Sequence, residues 1–434
     1  MNGFKNVNPD IPLTKYCRNA TNREGDTFVG IKSENIDGEH NLSIHFPLGY
    51  KISDNEDVVR DEILELVSVL QEYNDEKSRI SKITPEQVLK TVRFPVQAYM
   101  TVIMEYLNNG YYQITEEQFA RGISGQINWP RTVLLETKNA ISTKNGFVYP
   151  NYRVKQHNET DRDLITEINK FCVYQSYVRL GWIYKLPLPQ KPRPIDDVQV
   201  YREFLNDKKL RTNVDKDKRL FQSMLDILNF ENTTDDPEQF YFGTNNFEYI
   251  WERLIQATYG NVEKDYYFPR TKWLLNFGKE RENAALEPDT VMKNDIDVFI
   301  LDAKYYKYGV TRFPTDLPNS SSINKQISYG EYVTYDAKFD EDRKSGMKVY
   351  NAFLMPYNSK DEIYNNEKES DNYYSIGEAI SEWKDGKQNY QRVQGILVDI
   401  KWLIKNSIRP SNNEIIKLST TIKNSIEENT KRSK

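Results

Sequence analysis

The sequence predicts a chain that mixes helices with strands, and three observations carry that reading. Residues 296–305 form an apolar, β-branched and aromatic run with the composition of a buried strand. A shorter run, residues 290–292, precedes it across Lys293-Asn294-Asp295, a turn-forming cluster, so the two read as an antiparallel hairpin. On both sides of this hairpin, apolar residues recur at helical spacing.

In chain order, residues 1–42 are mostly polar, with Asn6-Val7-Asn8-Pro9-Asp10 a turn-prone stretch, and carry no assigned chemistry. His45-Phe46-Pro47-Leu48-Gly49-Tyr50 reads as a short strand and turn. Residues 57–73 are helical, with Val58, Ile63, Leu64, Leu66, Val67 and Leu70 on one stripe. Thr84-Pro85 begins a further helix, Thr84 as its cap. Residues 95–107 form a buried helix stopped by Asn108-Asn109-Gly110. In the segment GQINWPRT, residues 125–132, Arg131 beside Trp129 suits base stacking or a phosphate. A strand end that packs Trp129 on the core is at least as good a reading.

Residues 161–184 are an amphipathic helix, followed by Pro187, Pro189, Pro192 and Pro194, the best linker candidate. Residues 202–219 are basic, but Asp207, Asp215 and Asp217 dilute the charge, which favours a solvated helix face over a DNA patch. A helix at 220–230 follows. Further helices are expected at 247–257, 322–332 and 413–428, and strands at 349–355 and 395–400. The expected division is an N-terminal DNA- or partner-binding domain over 1–185, a linker and connecting helix over 186–240, and a C-terminal domain over 241–434.

Composition narrows the chemistry. A length of 434 residues holds about two or three domains. The net charge of −5 supplies no global basic field, so any nucleic-acid contact must come from a local patch or a partner. Cys17 and Cys172 are too few for a disulfide framework or a thiolate zinc site. His40, His45 and His157 lack the spacing of a zinc hydrolase. No P-loop occurs, so any nucleotide dependence belongs to another subunit. With no signal peptide and no run long enough to span a bilayer, a cytoplasmic protein is expected.

Asp302 and Lys304 interrupt the far end of the long apolar run. Two residues apart, they project from one face of the strand. Burying an acid and an ammonium there is costly unless they are paired or hold a metal. Asp289, after Pro288, falls opposite Asp302 once the hairpin closes. The trio suits a hard divalent cation and a water attacking phosphorus. Other Asp-x-Lys triplets lie outside apolar strands, and Asp336-Ala337-Lys338 and Asp399-Ile400-Lys401 lack a preceding Pro-Asp run. The rival reading is a hairpin whose acids cap turns and whose lysine snorkels to the surface. Asp297 lies on the opposite strand face and is set aside. In residues 247–257, Glu248 and Glu252 flank an apolar stripe; either can add an acid, with Glu252 preferred. Gln326 and Tyr329 lie about one turn apart on a helix, able to face the site together.

Pro288-Asp289, then Asp302-Ala303-Lys304, with an F-E-x-x-W-E helix before and a K-Q-x-x-Y helix after, resemble the PD-(D/E)xK nuclease superfamily. The segments FPLGY, GQINWPRT and LDAKYY narrow the likeness. Over most of its length the chain resembles the LlaJI-type restriction endonucleases, relatives of the McrC nuclease subunit. The resemblance implies an α/β fold: a C-terminal nuclease core, its mixed sheet flanked by helices, joined to a largely helical N-terminal domain. It also implies Mg²⁺-dependent cleavage of double-stranded DNA, in defence against foreign DNA, with an AAA+ NTPase (McrB-like) partner. Under it, Asp289, Asp302 and the Ala303 carbonyl hold Mg²⁺, with Glu252 or Glu248 completing the shell or positioning Lys304. Lys304 orients or helps deprotonate the water, and Gln326 holds the nucleophile or the DNA backbone. Two alternatives stand beside it: a stand-alone restriction enzyme, and a non-catalytic nucleic-acid-binding or scaffold subunit.

Overall fold

The computed structural model describes residues 11–36, 39–80, 94–113, 117–144, 146–157, 164–194, 197–233, 239–278, 281–282, 286–364, 372–407 and 410–432. The chain forms two compact units, one spanning Phe94–Pro237 and the other joining Pro9–Arg93 to Glu238–Lys434. The helix start expected at Thr84-Pro85 and the turn at Asn6–Asp10 lie outside the described residues, apart from their neighbours.

The second unit begins with β1 (Cys17–Asn19), β2 (Val29–Ile36), β3 (Glu39–Phe46) and α1 (Glu56–Ile80). The intervening unit holds α2 (Val96–Asn109), β4 (Glu117–Gly122), α3 (Trp129–Glu136), β5 (Ile141–Thr143), β6 (Gly146–Val148), β7 (Tyr152–His157), α4 (Leu164–Tyr184), α5 (Val198–Arg211) and α6 (Asp215–Thr233). There α2, α4 and α6 pack together over Tyr99, Val102, Ile103, Val173, Met224 and Leu228. Arg179 is buried in this core because Glu231 accepts from it twice at 3.1 Å, and Tyr99 Oη also donates to Glu231 at 2.7 Å.

Two expectations change in this unit. Trp129 does not end a strand: Asn128 caps α3 by accepting from the Arg131 amide, and Trp129, half exposed, meets Tyr152 edge-on at 5.7 Å. Residues 198–233 are not a connector either. They form α5 and α6, paired with each other and anchored by buried Leu205. Among the described residues the proline-rich stretch before α5 does lack regular structure, as rings without N–H groups require.

The second unit resumes with β8 (Phe240–Thr244), α7 (Phe247–Tyr259), β9 (Lys272–Trp273), β10 (Arg281–Glu282), β11 (Thr290–Asn294) and β12 (Asp297–Ala303). Then come α8 (Tyr308–Thr311), α9 (Ser320–Tyr335), α10 (Asp340–Lys344), β13 (Val349–Tyr357), β14 (Tyr373–Ile380), β15 (Arg392–Asp399), α11 (Ile400–Asn406) and α12 (Asn412–Arg432). Its main sheet has the order β11-β12-β13-β15-β14. Strands β12, β13 and β15 run parallel, with β11 and β14 antiparallel at the edges, so the sheet is mixed. Every residue of β13 is buried, the pattern of a central strand covered on both faces.

Helix α9 covers one face, where Ile327, Tyr329 and Val333 join Val298, Ile300, Phe353 and Met355 in one apolar cluster. Helices α7 and α12 pack against the sheet as well. Phe299 stacks on Tyr350 at 4.8 Å, and the Lys423 ammonium of α12 lies over both rings. A second sheet, in the order β1-β3-β2-β8, ties the N-terminal strands to the segment leading into α7. Residues 17–80 therefore belong to the same body as the C-terminal strands. The expected boundary at 185 does not separate them.

Candidate active site

The hairpin closes in the register that brings its acids together. Thr290 pairs with Leu301 and Asn294 with Asp297, so Asp289 comes next opposite Asp302. Lys293 and Asn294 belong to the ladder; the turn itself is Asp295-Ile296, with Asp295 at φ 53°. Aspartate tolerates that left-handed conformation better than most residues. Asp297 turns away as expected, accepting from the Lys348 amide at 3.0 Å and pairing with Lys423 at 2.7 Å.

Asp289 Oδ2 accepts from the Ala303 amide at 2.7 Å, which fixes its carboxyl across the hairpin mouth. Burial pushes the Asp289 carboxyl up to about 8, helped by the charge of Asp302, a hydrogen bond with it, and the charge of Glu252; the Ala303 amide opposes them. Two carboxyls in such contact keep a proton between them unless a cation takes its place. Asp302 is 8% exposed, and its Oδ2 holds the Lys304 ammonium at 2.6 Å. Burial acts to lower the pKa of that ammonium, but Asp302 and Asp289 outweigh it and hold the pKa above the usual lysine value. Lys304 also lies over the Phe353 ring at 5.9 Å.

Helix α7 sets the next acid. Trp251 Nε1 donates to the Leu354 carbonyl at 3.1 Å and locks the helix to the sheet. The following residue, Glu252, has its pKa raised by burial and by Asp302, with Lys304 and Lys264 pulling the other way. Glu248, one turn earlier, accepts from the Asn246 side chain at 3.0 Å at the exposed helix start. Glu252 is thus the helix acid that faces the pair. Among the described residues, however, no three His, Cys, Asp or Glu side chains converge as a metal group. The donors that the hairpin itself presents are Asp289, Asp302 and the Ala303 backbone. A hard cation would find there oxygen ligands whose mutual repulsion it relieves, so the set fits Mg²⁺.

The two residues expected on α9 part company. Tyr329 Oη donates to the Glu287 carbonyl at 3.0 Å and so holds the strand that carries Asp289. The charges of Asp302 and Asp289, after burial, raise its pKa, which places it beside the pair. Gln326 is 1% exposed, and its Nε2 donates to the Ile300 carbonyl at 2.7 Å. An amide held inside the sheet cannot grip a DNA backbone, so Gln326 fastens α9 to β12 instead.

Sequence patterns alone gave no sign of three further contacts. Lys264 Nζ donates to the Asp289 carbonyl at 3.5 Å. The Leu48 amide donates to Tyr305 Oη at 2.7 Å, and Asn22 donates to the Tyr305 carbonyl at 3.1 Å. The last two bonds clamp the residue after Lys304, and the first of these ties the FPLGY segment to LDAKYY. Neither Lys264, in a mixed-charge loop, nor Asn22, in a polar segment, carries a pattern of its own.

No curated protein matches the chain. The model of one family, described as LlaJI restriction endonuclease, matches residues 28–374, which take in the FPLGY clamp, α7, the hairpin and α9. A match over that much of the chain, with the converging acids and lysine inside it, places this protein in the LlaJI restriction endonuclease family.

Proposed function

We propose that this protein cuts DNA phosphodiester bonds at Asp289, Asp302 and Lys304, with Mg²⁺ as cofactor, in the manner of the PD-(D/E)xK nucleases. One observation carries the reading: two carboxyls on neighbouring strands share a partly buried site whose lysine is paired to one of them. Asp289, Asp302 and the Ala303 carbonyl would hold the ion. When bound it would supply positive charge to the scissile phosphate and acidify a water.

The residues of the chain do the rest. Asp302 anchors the Lys304 ammonium, so that lysine stays protonated through neutral pH and acts as a donor rather than as a base. It orients the attacking water and offsets charge building on the phosphate oxygens. Glu252, raised in pKa, is suited to accept or hand on a proton at the edge of the site. Tyr329 and Lys264 keep the Asp289 strand in place. An AAA+ NTPase of the McrB kind would provide the DNA translocation or recognition for which the chain lacks a P-loop.

Plasmid digestion by the purified chain tests this, alone and with proteins encoded beside it, with and without Mg²⁺ and NTP. Asp302→Ala and Lys304→Ala should each lower cleavage by at least about a hundred-fold with folding intact. Cleavage that persists in Asp302→Ala would sink the assignment.

A further inference from the structure

Immediately before the catalytic hairpin the chain leaves the body of the unit as an arm. Its root is fixed: the Leu286 amide donates to the Pro269 carbonyl at 2.9 Å. Below that root, Tyr267 is buried and stacks on Phe339 at 5.5 Å. Beyond it, β9 and β10 pair as a two-stranded ribbon, Trp273 opposite Arg281. Large apolar side chains there face solvent: Phe277 is 92% exposed, Leu274 67% and Trp273 60%. Such a cluster of exposed apolar side chains is unfavourable in water and marks a contact surface.

Position and charge say what covers it. Leu286 is three residues from Asp289, so the arm springs from within about 10 Å of the candidate site. Arg270, Lys272, Lys279 and Arg281 outnumber Glu280 and Glu282, in a chain whose net charge is negative. In the sequence this excess of basic residues lies beside aromatic residues, a composition that matches a phosphate backbone with bases to stack upon.

We propose that this arm engages the DNA being cut, inserting Trp273 and Phe277 among the bases beside the scissile phosphate. The inference rests on the nuclease reading above. It assigns the arm the task of holding the duplex and opening its stack over Asp289 and Asp302, in the way that apolar wedges kink DNA.

The test uses the full chain without divalent cation and short duplexes carrying 2-aminopurine at successive positions. Wild-type protein should bind and change the fluorescence of a few adjacent positions. Trp273→Ala/Phe277→Ala, with both residues exposed, should keep the wild-type melting temperature, lose the fluorescence change and bind roughly ten-fold or more weakly. Asp302→Ala should keep the fluorescence change while losing Mg²⁺-dependent cleavage, so failure of the nuclease reading shows in a separate readout. Unchanged binding and fluorescence in the double variant overturn the proposal. So does a wild-type chain that neither binds nor perturbs the duplex. A double variant whose sedimentation changes while its DNA readouts do not would assign the arm to a protein interface instead.

Discussion

Asp289 holds most of the pH leverage in the site. Its carboxyl sits at about 8 in the folded chain, against about 3.9 when unfolded. Between those values the folded state keeps a proton that the unfolded state has released, so stability from this group falls as pH rises. The contribution is complete below the unfolded value and is lost as pH passes through about 8. In buffer free of divalent cations, Asp289→Asn should therefore melt higher than wild type at alkaline pH, by on the order of a few degrees, with the gap closing toward pH 4. Added Mg²⁺ should raise the melting temperature of wild type at that alkaline pH and leave the variant nearly unmoved. Scanning calorimetry over a pH series checks both; parallel curves for the two proteins would show that the acids do not couple. Tyr329→Phe removes one hydrogen bond, to the Glu287 carbonyl, at a cost of about 1 kcal/mol. Cleavage should slow several-fold at unchanged DNA affinity, since the ring stays and only the grip on the Asp289 strand is lost; an unaltered rate would remove Tyr329 from the positioning set. That Asp289, Asp302 and Lys304 would come together was legible in the sequence because strand parity and hairpin register are local rules. Gln326 was misread for the opposite reason: helical spacing shows which face a residue shares, and only packing shows how deep that face lies.

At the scale of elements, the positions of the long helices and of the apolar parallel strands were legible, but not how far each helix is covered. Helix α4, read as amphipathic, is buried around most of its surface, and α2, read as buried, leaves Met104 and Leu107 exposed. Nor was the sheet of β1, β3, β2 and β8 legible. Its strands come from two distant stretches of the chain, and the sheet gains its outer partner only when β8, far downstream, pairs with β2. Gly30 shows how tight that pairing is. It stands opposite Gly243 at φ +142°, and a Cβ there would come within 2.1 Å of the Phe242 carbonyl oxygen. Gly30→Ala should therefore pry β8 from β2 and cost roughly 1–3 kcal/mol, through steric overlap and a conformation that L side chains avoid. Because β8 leads directly into α7, cleavage should fall with the loss of stability rather than independently of it. Thermal melts compared with plasmid digestion at low temperature would show this; full activity in a variant that melts normally would mean that the strands part without consequence.

For the whole molecule, the two compact units make a prediction about fragments. A fragment that starts at 241 carries all the proposed catalytic residues, and the linker expected over 186–240 makes it look like a natural cut. It lacks three supports that the structure draws from residues 9–93. The Leu48 amide no longer holds Tyr305, Glu62 no longer pairs with Lys401, and nearly all of β8 is left without its neighbour β2. Glu62 is itself buried, so removing its helix also strips apolar cover from Ile400, Leu403 and Ile404 at the start of the C-terminal helices. The fragment 241–434 should thus be aggregation-prone or molten, with weak near-ultraviolet dichroism and no cooperative melt. Residues 9–93 joined by a flexible Gly/Ser linker to 238–434 keep every one of these contacts, and that chain should melt as a single cooperative unit. Both chains carry Asp289, Asp302 and Lys304, so the comparison isolates the scaffold from the chemistry. A fragment 241–434 that folds and melts as sharply as the joined chain would refute the claim that the N-terminal strands are part of the nuclease body.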